Sequence, residues 1–347
     1  MIETSLHQSE PVALPGRPSG RVARSIAAHA LLVVLMLVTP MVVFVSAALL
    51  HCGIRNGRRA AWLTAVLAMA PFALFVGVAP ASASDANGGW VSFCVMAFAV
   101  MLPTLIVMPL VERGEKFGTV LVLLLVGAML GLLATEAISQ AVLDHSPYAA
   151  QLTDYEKLNG AVVNEYRRRG APAEWISRAK QMGEFTLVVL PGLLLVTLSF
   201  VFILSLLMLG RLKAWRELAA QRGEEQMLGA WLFRNFSLPD WVLFAFILGG
   251  LTPVASGLLQ KVAANTLAVV VFLYILQGLA IFRFLLGAMG GGIAQTIFGW
   301  VMLAFLTLLT AGAPVLLLGV AGLFDSFFDF RHFKKKRKDD SHESHSD

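Results

Sequence analysis

Long stretches of this chain contain no Asp, Glu, Lys or Arg: Ser25–Ile54, Ala60–Ser84, Gly88–Val111, Phe117–Thr135 and Phe185–Gly210 are the clearest. A helix needs about 20 apolar residues to cross the hydrocarbon of a bilayer. A soluble core helix is usually shorter and keeps a polar face, whereas these runs are apolar all round. Lipid offers no partner to a free N–H or C=O, so an embedded backbone must be helical. The sequence therefore predicts an all-α, polytopic transmembrane helix bundle.

Composition agrees. Of 347 residues, 57% are hydrophobic and 14% charged, and the mean hydropathy is +0.74. A soluble domain carries about 25% charged residues, so little soluble mass is expected. The net charge of +5 comes from bases placed beside apolar runs. That pattern signals topology and contact with anionic lipid, not nucleic acid. Cys52 and Cys94 are too few for a disulfide framework, and C-x-x-C spacing is missing. A cleavable leader is not expected, because Met1–Arg24 is a long polar head and the run after it exceeds an h-region. Residues 80–86 (PASASDA) resemble a cleavage site but lie far along the chain, and read as a small-residue loop.

Eight hydrophobic segments are expected, at about 25–50, 60–79, 90–111, 117–143, 186–210, 241–258, 262–288 and 293–324. The first and last exceed one span and carry breakers, Pro40 and Gly312-Ala313-Pro314. Eight simple crossings would put both termini on one side but send Arg55, Arg58, Arg59 and the 211–240 connection to the other. Breaking the first and last segments into hairpins puts every basic connection on the cytoplasmic side with both termini. Pro80–Gly89 and Asp144–Glu184 then face out. The second arrangement is preferred, and its half-helices need protein around their ends. The domain reading is a cytoplasmic polar head (1–24), a transmembrane domain (25–331) with amphipathic connections at 144–184 and 211–240, and a basic, then acidic, disordered tail (332–347). Residues 151–184 predict two short helices around Gly170-Ala171-Pro172. Residues 212–232 predict an interfacial helix carrying Trp215, Leu218, Met227 and Trp231.

Chemistry-bearing residues are few. Glu136 is an acid inside an apolar run, where carboxylates often mark an ion or substrate path; the plain alternative is a carboxylate at the membrane surface. Asn265 and Arg283 share a helix face with Gln277 between them, a stripe that could line a cavity or simply snorkel. Glu136, Asn265, Gln277 and Arg283 are thus the candidate substrate or ion path. Gly127-x-x-x-Gly131 permits close helix packing within the bundle. His29, His51, Cys52 and Cys94 share no spacing that would gather them around a metal. Gly287–Gly292 lacks a Walker Lys-Ser/Thr, and neither H-E-x-x-H nor G-x-S-x-G occurs. No catalytic residue, metal or cofactor is assigned, and an enzyme is not expected.

Phe236–Trp241 (FSLPDW), Tyr274–Ile281 (YILQGLAI) and Gly322–Arg331 (GLFDSFFDFR), with the Pro40…Gly53…Asn56-Gly57 stretch, resemble the YybS-like family of predicted bacterial membrane proteins, a domain of unknown function. The resemblance covers about residues 25–331. That family is distantly similar to the substrate-binding membrane subunits of energy-coupling-factor vitamin transporters, six-helix bundles with a short first hairpin. It implies a multi-spanning protein of the bacterial inner membrane that binds or transports a small molecule. The alternative is a non-transporting scaffold that assembles other membrane or cytoplasmic proteins. In their own right, Leu238-Pro239-Asp240-Trp241 read as a helix start. Asp325 and Asp329, four apart among phenylalanines, read as an aromatic membrane exit.

Overall fold

The computed structural model describes residues 19–78, 84–143, 146–221, 231–288 and 292–328. The polar head before Ser19, residues 79–83, 144–145, 222–230 and 289–291 and the tail from Asp329 onward lie outside the described residues, and so do the expectations attached to them. The described chain is helical throughout, in twelve α-helices and two 3-10 turns.

α1 (Ser19–Leu37) stops where Thr39 turns extended, at φ −125° and ψ 166°, ahead of Pro40. Thr39 donates its hydroxyl to Leu35 O at 2.8 Å and accepts from Met41 N–H at 3.3 Å. One side chain thus closes α1 and caps the 3-10 turn Pro40–Phe44. α2 (Val45–Asn56) then runs back along α1 and ends at Gly57, φ +89°. Asn56 Nδ2 donates to Ser25 Oγ at 2.9 Å, and His29 meets His51 at 3.0 Å. The first segment is therefore a hairpin broken at Pro40, as expected. It brings Arg55, Arg58 and Arg59 back to the end where Arg21 and Arg24 lie.

α3 (Arg58–Val78) leaves that basic end and α4 (Ser84–Arg113) returns to it, since Arg58 pairs with Glu112 at 2.6 Å. α5 (Phe117–Leu143) leaves again, packed on α4 through Gly127 against Pro103 and Gly131 against Ala99. The G-x-x-x-G pattern thus serves packing inside the bundle. Beyond it α6 (Pro147–Arg168) starts on the N-cap Ser146. A turn through Gly170, φ +67°, leads into α7 (Ala173–Arg211), 39 residues long. The helix–turn–helix expected around Gly170-Ala171-Pro172 is present.

α8 (Lys213–Gln221) follows at the basic end. The interfacial helix expected over 212–232 does not reach Trp231, which lies in a turn before the 3-10 turn Phe233–Asn235; residues 222–230 lie outside the described residues. Nor do its tryptophans face lipid. Trp215 and Trp231 are 0% and 3% exposed, with rings 4.4 Å apart. Trp231 also meets Phe117 edge-on at 5.8 Å, and Phe236 meets Phe117 at 5.6 Å. Burying this ring cluster against the start of α5 outcompetes the interface for the same aromatic surface.

α9 (Val242–Gly249) has only eight residues, so the expected segment 241–258 is a short helix and a turn, not a span. α10 (Gly257–Ala288) is a long span. α11 (Ile293–Leu309) and α12 (Ala313–Phe328) bend by 117° at Thr310–Gly312, where Ala311 and Gly312 have φ +51° and +95°. The last segment is broken as expected, one residue before the proline's own turn begins. Among the described residues five helices are long and apolar enough to span, or six with this bent pair. The bundle is all-α and multi-spanning, with fewer full crossings than eight segments suggest.

Candidate functional site

The four expected path residues sit in four separate places. Glu136, near the far end of α5, accepts hydrogen bonds from the Ser146 hydroxyl and from Tyr148 N–H at 3.2 Å. It ties the start of α6 to α5. Burial raises the Tyr148 phenol above its ordinary range, and the Glu136 carboxylate raises it further.

Asn265 repairs a helix. In an unbroken α7 the N–H of Gly192 would bond to the carbonyl of Val188, next to Pro191, which has no N–H to give. Instead Gly192 N–H donates to Asn265 Oδ1 at 2.6 Å, and Asn265 Nδ2 donates to Val188 O at 2.9 Å. The amide inserts into the ladder and satisfies both groups, as a lipid-embedded helix requires. Its Nδ2 also reaches Lys261 O at 2.7 Å.

Gln277 is 1% exposed and Asp325 8%. Gln277 accepts from Leu238 N–H at 3.1 Å and donates to Asp325 Oδ2 at 3.0 Å. Asp325 is thus inside the protein, not at an aromatic edge; the tight approach of α10 and α12 encloses it. A Cβ on Gly278 would overlap the carbonyl oxygen of Leu318, and one on Gly322 would overlap that of Tyr274. Tyr274 faces Gly322 and Gln277 faces Asp325 across this contact. The three strings Phe236–Trp241, Tyr274–Ile281 and Gly322–Phe328 converge here. The first begins α9 as expected, with Val242 N–H on Pro239 O at 3.0 Å.

Arg283, half-buried, lies farther along α10 toward the basic end. Glu136 is nowhere near it. Ser237 and Leu238 touch both Gly118 and Gln277, which fixes the level of α10 against the start of α5. From there Glu136 lies about 27 Å up α5, and Arg283 lies the other way.

A cavity of about 540 Å³ opens at the basic end between α2 and α8. Its polar lining is His51, Arg55, Lys213, Glu217 and Gln221, and its apolar lining includes Ile54, Leu212 and Leu218. Behind it the hairpin is stitched by polar contacts. His29 Nδ1–H donates to Ser25 O at 2.7 Å. With the His29 proton on Nδ1, its Nε2 accepts from His51 Nδ1–H across 3.0 Å. Nε2 of His51 is left outside the pair as an acceptor. Below the pair, Cys52 Sγ lies 3.3 Å from Thr64 Oγ1. The two histidines do converge, contrary to the expectation from helical spacing, because the hairpin and not one helix brings them together. No group of three metal-ligating side chains forms among the described residues.

A family model described as "Predicted membrane protein (DUF2232)" matches residues 25–326, from within α1 to within α12. The chain belongs to this family of multi-spanning membrane proteins. No curated protein and no solved structure matches it.

Proposed function

We propose that this protein is a small-molecule-binding subunit of the bacterial inner membrane, with its site in the cavity between α2 and α8. The cavity carries the reading: it combines charged, hydrogen-bonding and apolar walls in a volume suited to a small ligand. The polar residues deeper in the bundle support this location indirectly. Glu136, Asn265 and Gln277 are each committed to bonds that hold helices together. The proposal is of binding, with or without transport, and not of catalysis. A scaffold function is the second reading; it is favoured by the α6–α7 projection, which exposes Trp175 at 60%, Met182 at 71% and Phe185 at 64%.

Both termini are assigned to the cytoplasm, because Arg21, Arg24, Arg55 and Arg58 share one end of the bundle and such clusters stay inside. Single cysteines at positions 8 and 342 should resist an impermeant reagent applied from outside; labelling of either one overturns the assignment. Binding is tested by thermal unfolding of the full chain in nanodiscs against a panel of phosphates, nucleotides, vitamins and amino acids. At least one solute should raise the midpoint saturably. Ala214→Trp, which fills the cavity wall without removing a buried group, should abolish that rise. Stabilisation that Ala214→Trp leaves intact, or no stabilisation at all, removes the cavity as the binding site and puts the scaffold reading ahead.

A further inference from the structure

Resting on the reading of this cavity as a binding site, we propose that it takes a phosphate group carried on a partly apolar molecule. Donors reach the cavity from both walls. On the α2 side stands the guanidinium of Arg55, beside His51. On the α8 side stand Lys213 and the first turn of the helix, where Leu212, Lys213 and Ala214 all line the space. A helix start presents N–H groups that have no partner within the helix, together with the positive end of its dipole. Glu217 is the one acid among the described residues of the lining. It pairs with Lys213 at 3.5 Å, but the two side chains are 89% and 58% exposed, so the pair is loose and Lys213 can turn to a ligand.

The geometry points to phosphate over carboxylate. A planar carboxylate is satisfied by one guanidinium fork, and the opposite wall would then face nothing. A tetrahedral oxyanion offers oxygens to both walls at once, and donors charged as these are make its strongest partners. Ile54, Leu212 and Leu218 complete the lining. They suit the carbon part of an organic phosphate or the glycerol and upper chain of a phospholipid. The cavity lies at the basic end of the bundle, where either source can reach it.

The test uses the full chain in phosphatidylcholine nanodiscs, titrated calorimetrically with phenyl phosphate and, as the planar counterpart, benzoate. Phenyl phosphate should bind saturably and about tenfold more tightly than benzoate. The double variant Arg55→Gln, Lys213→Gln should weaken it by at least about tenfold, the scale of one charge-assisted hydrogen bond. Arg55→Lys, which keeps the charge, should recover part of that loss and shows that the effect is not misfolding. A second arm places phosphatidylglycerol in the discs. If it raises the apparent Kd of phenyl phosphate in the parent but not in the double variant, a lipid headgroup is the occupant. If it changes neither, the occupant is a soluble phosphate, and in both cases the phosphate site stands. Equal affinity for benzoate and phenyl phosphate overturns the proposal, as does binding unchanged in the double variant or absent in the parent. A solute without phosphate that stabilises the parent but not Ala214→Trp would overturn the phosphate assignment while leaving the binding reading intact.

Discussion

Two segments of this protein are broken by the same kind of residue, yet they end differently. At Pro40 the chain reverses into a hairpin whose second limb is mostly buried: Val45 through Leu50 are all buried, as are Cys52 and Gly53. At Gly312-Ala313-Pro314 the chain bends by 117°, and none of α11's residues is buried. Ile293 and Leu308 are 82% and 84% exposed. The breaker fixes where the helix ends; what lies along the limb fixes whether it packs. The α1–α2 limb carries hydroxyls and rings that bond outward. Ser46 accepts from Thr104 at 2.8 Å, Val43 O accepts from Ser205, and His51 donates to His29. α11 is apolar apart from Gln295, Thr296, Thr307 and the ring nitrogen of Trp300, so lipid serves it as well as protein does. In the C-terminal pair the packing falls to α12, through two glycines on the α10–α12 line.

That comparison can be broken at four places, each read as the stability of the purified chain in micelles. Gly278→Ala should have the largest effect, about 3 kcal/mol or more, because the new methyl meets backbone of Leu318 that cannot step aside. Loss of less than half of that would mean that α12 is held by something other than close glycine packing. His29→Phe should cost about 1–2 kcal/mol, since it leaves the His51 Nδ1–H without its acceptor. A matching loss in His51→Phe, with no further loss in the double variant, would sharpen the case for one shared bond. Gly53→Ala should cost about 1 kcal/mol or less: its methyl overlaps only the thioether end of Met108, which can turn away. Should Gly53→Ala prove as damaging as Gly278→Ala, the contrast between flexible and rigid neighbours fails. Smallest of all, Ile297→Ala on the exposed face of α11 should change stability by under about 0.5 kcal/mol. A larger loss would show that a partner, not lipid, covers that helix.

Apolar runs, breakers and basic clusters are local properties, and they carried the helical class and both broken segments. The exact span count did not follow, because residues 241–258 are as apolar as any span yet form eight helical residues and a turn. Nothing local distinguishes a limb that crosses from one held short by its neighbours. The polar residues stood out in the sequence, but the partners they bond to did not. Asn265 answers to a carbonyl and an amide on another helix, 77 and 73 positions away. The one signal was Pro191, which announces a gap in a ladder without saying what fills it. The histidine pair was more accessible. His29 and His51 stand equally far before and after Pro40, so a hairpin centred there sets them face to face. Gln277 and Asp325 come together only when α10 and α12 align, which needs the glycine contacts first.

The repaired ladder at Pro191 makes α7 a lever. About 27 Å of helix lies on the α6 side of that proline and about 30 Å on the other, at 1.5 Å per residue. The first arm ends in the projecting helical pair and the second at Leu212, on the wall of the cavity. The fulcrum is held by an amide that belongs to α10. A swing of about 10° there would carry the outer tip by roughly 5 Å over that length. The two ends of the bundle are therefore joined by one helix, and the turn at its proline is held by a single asparagine.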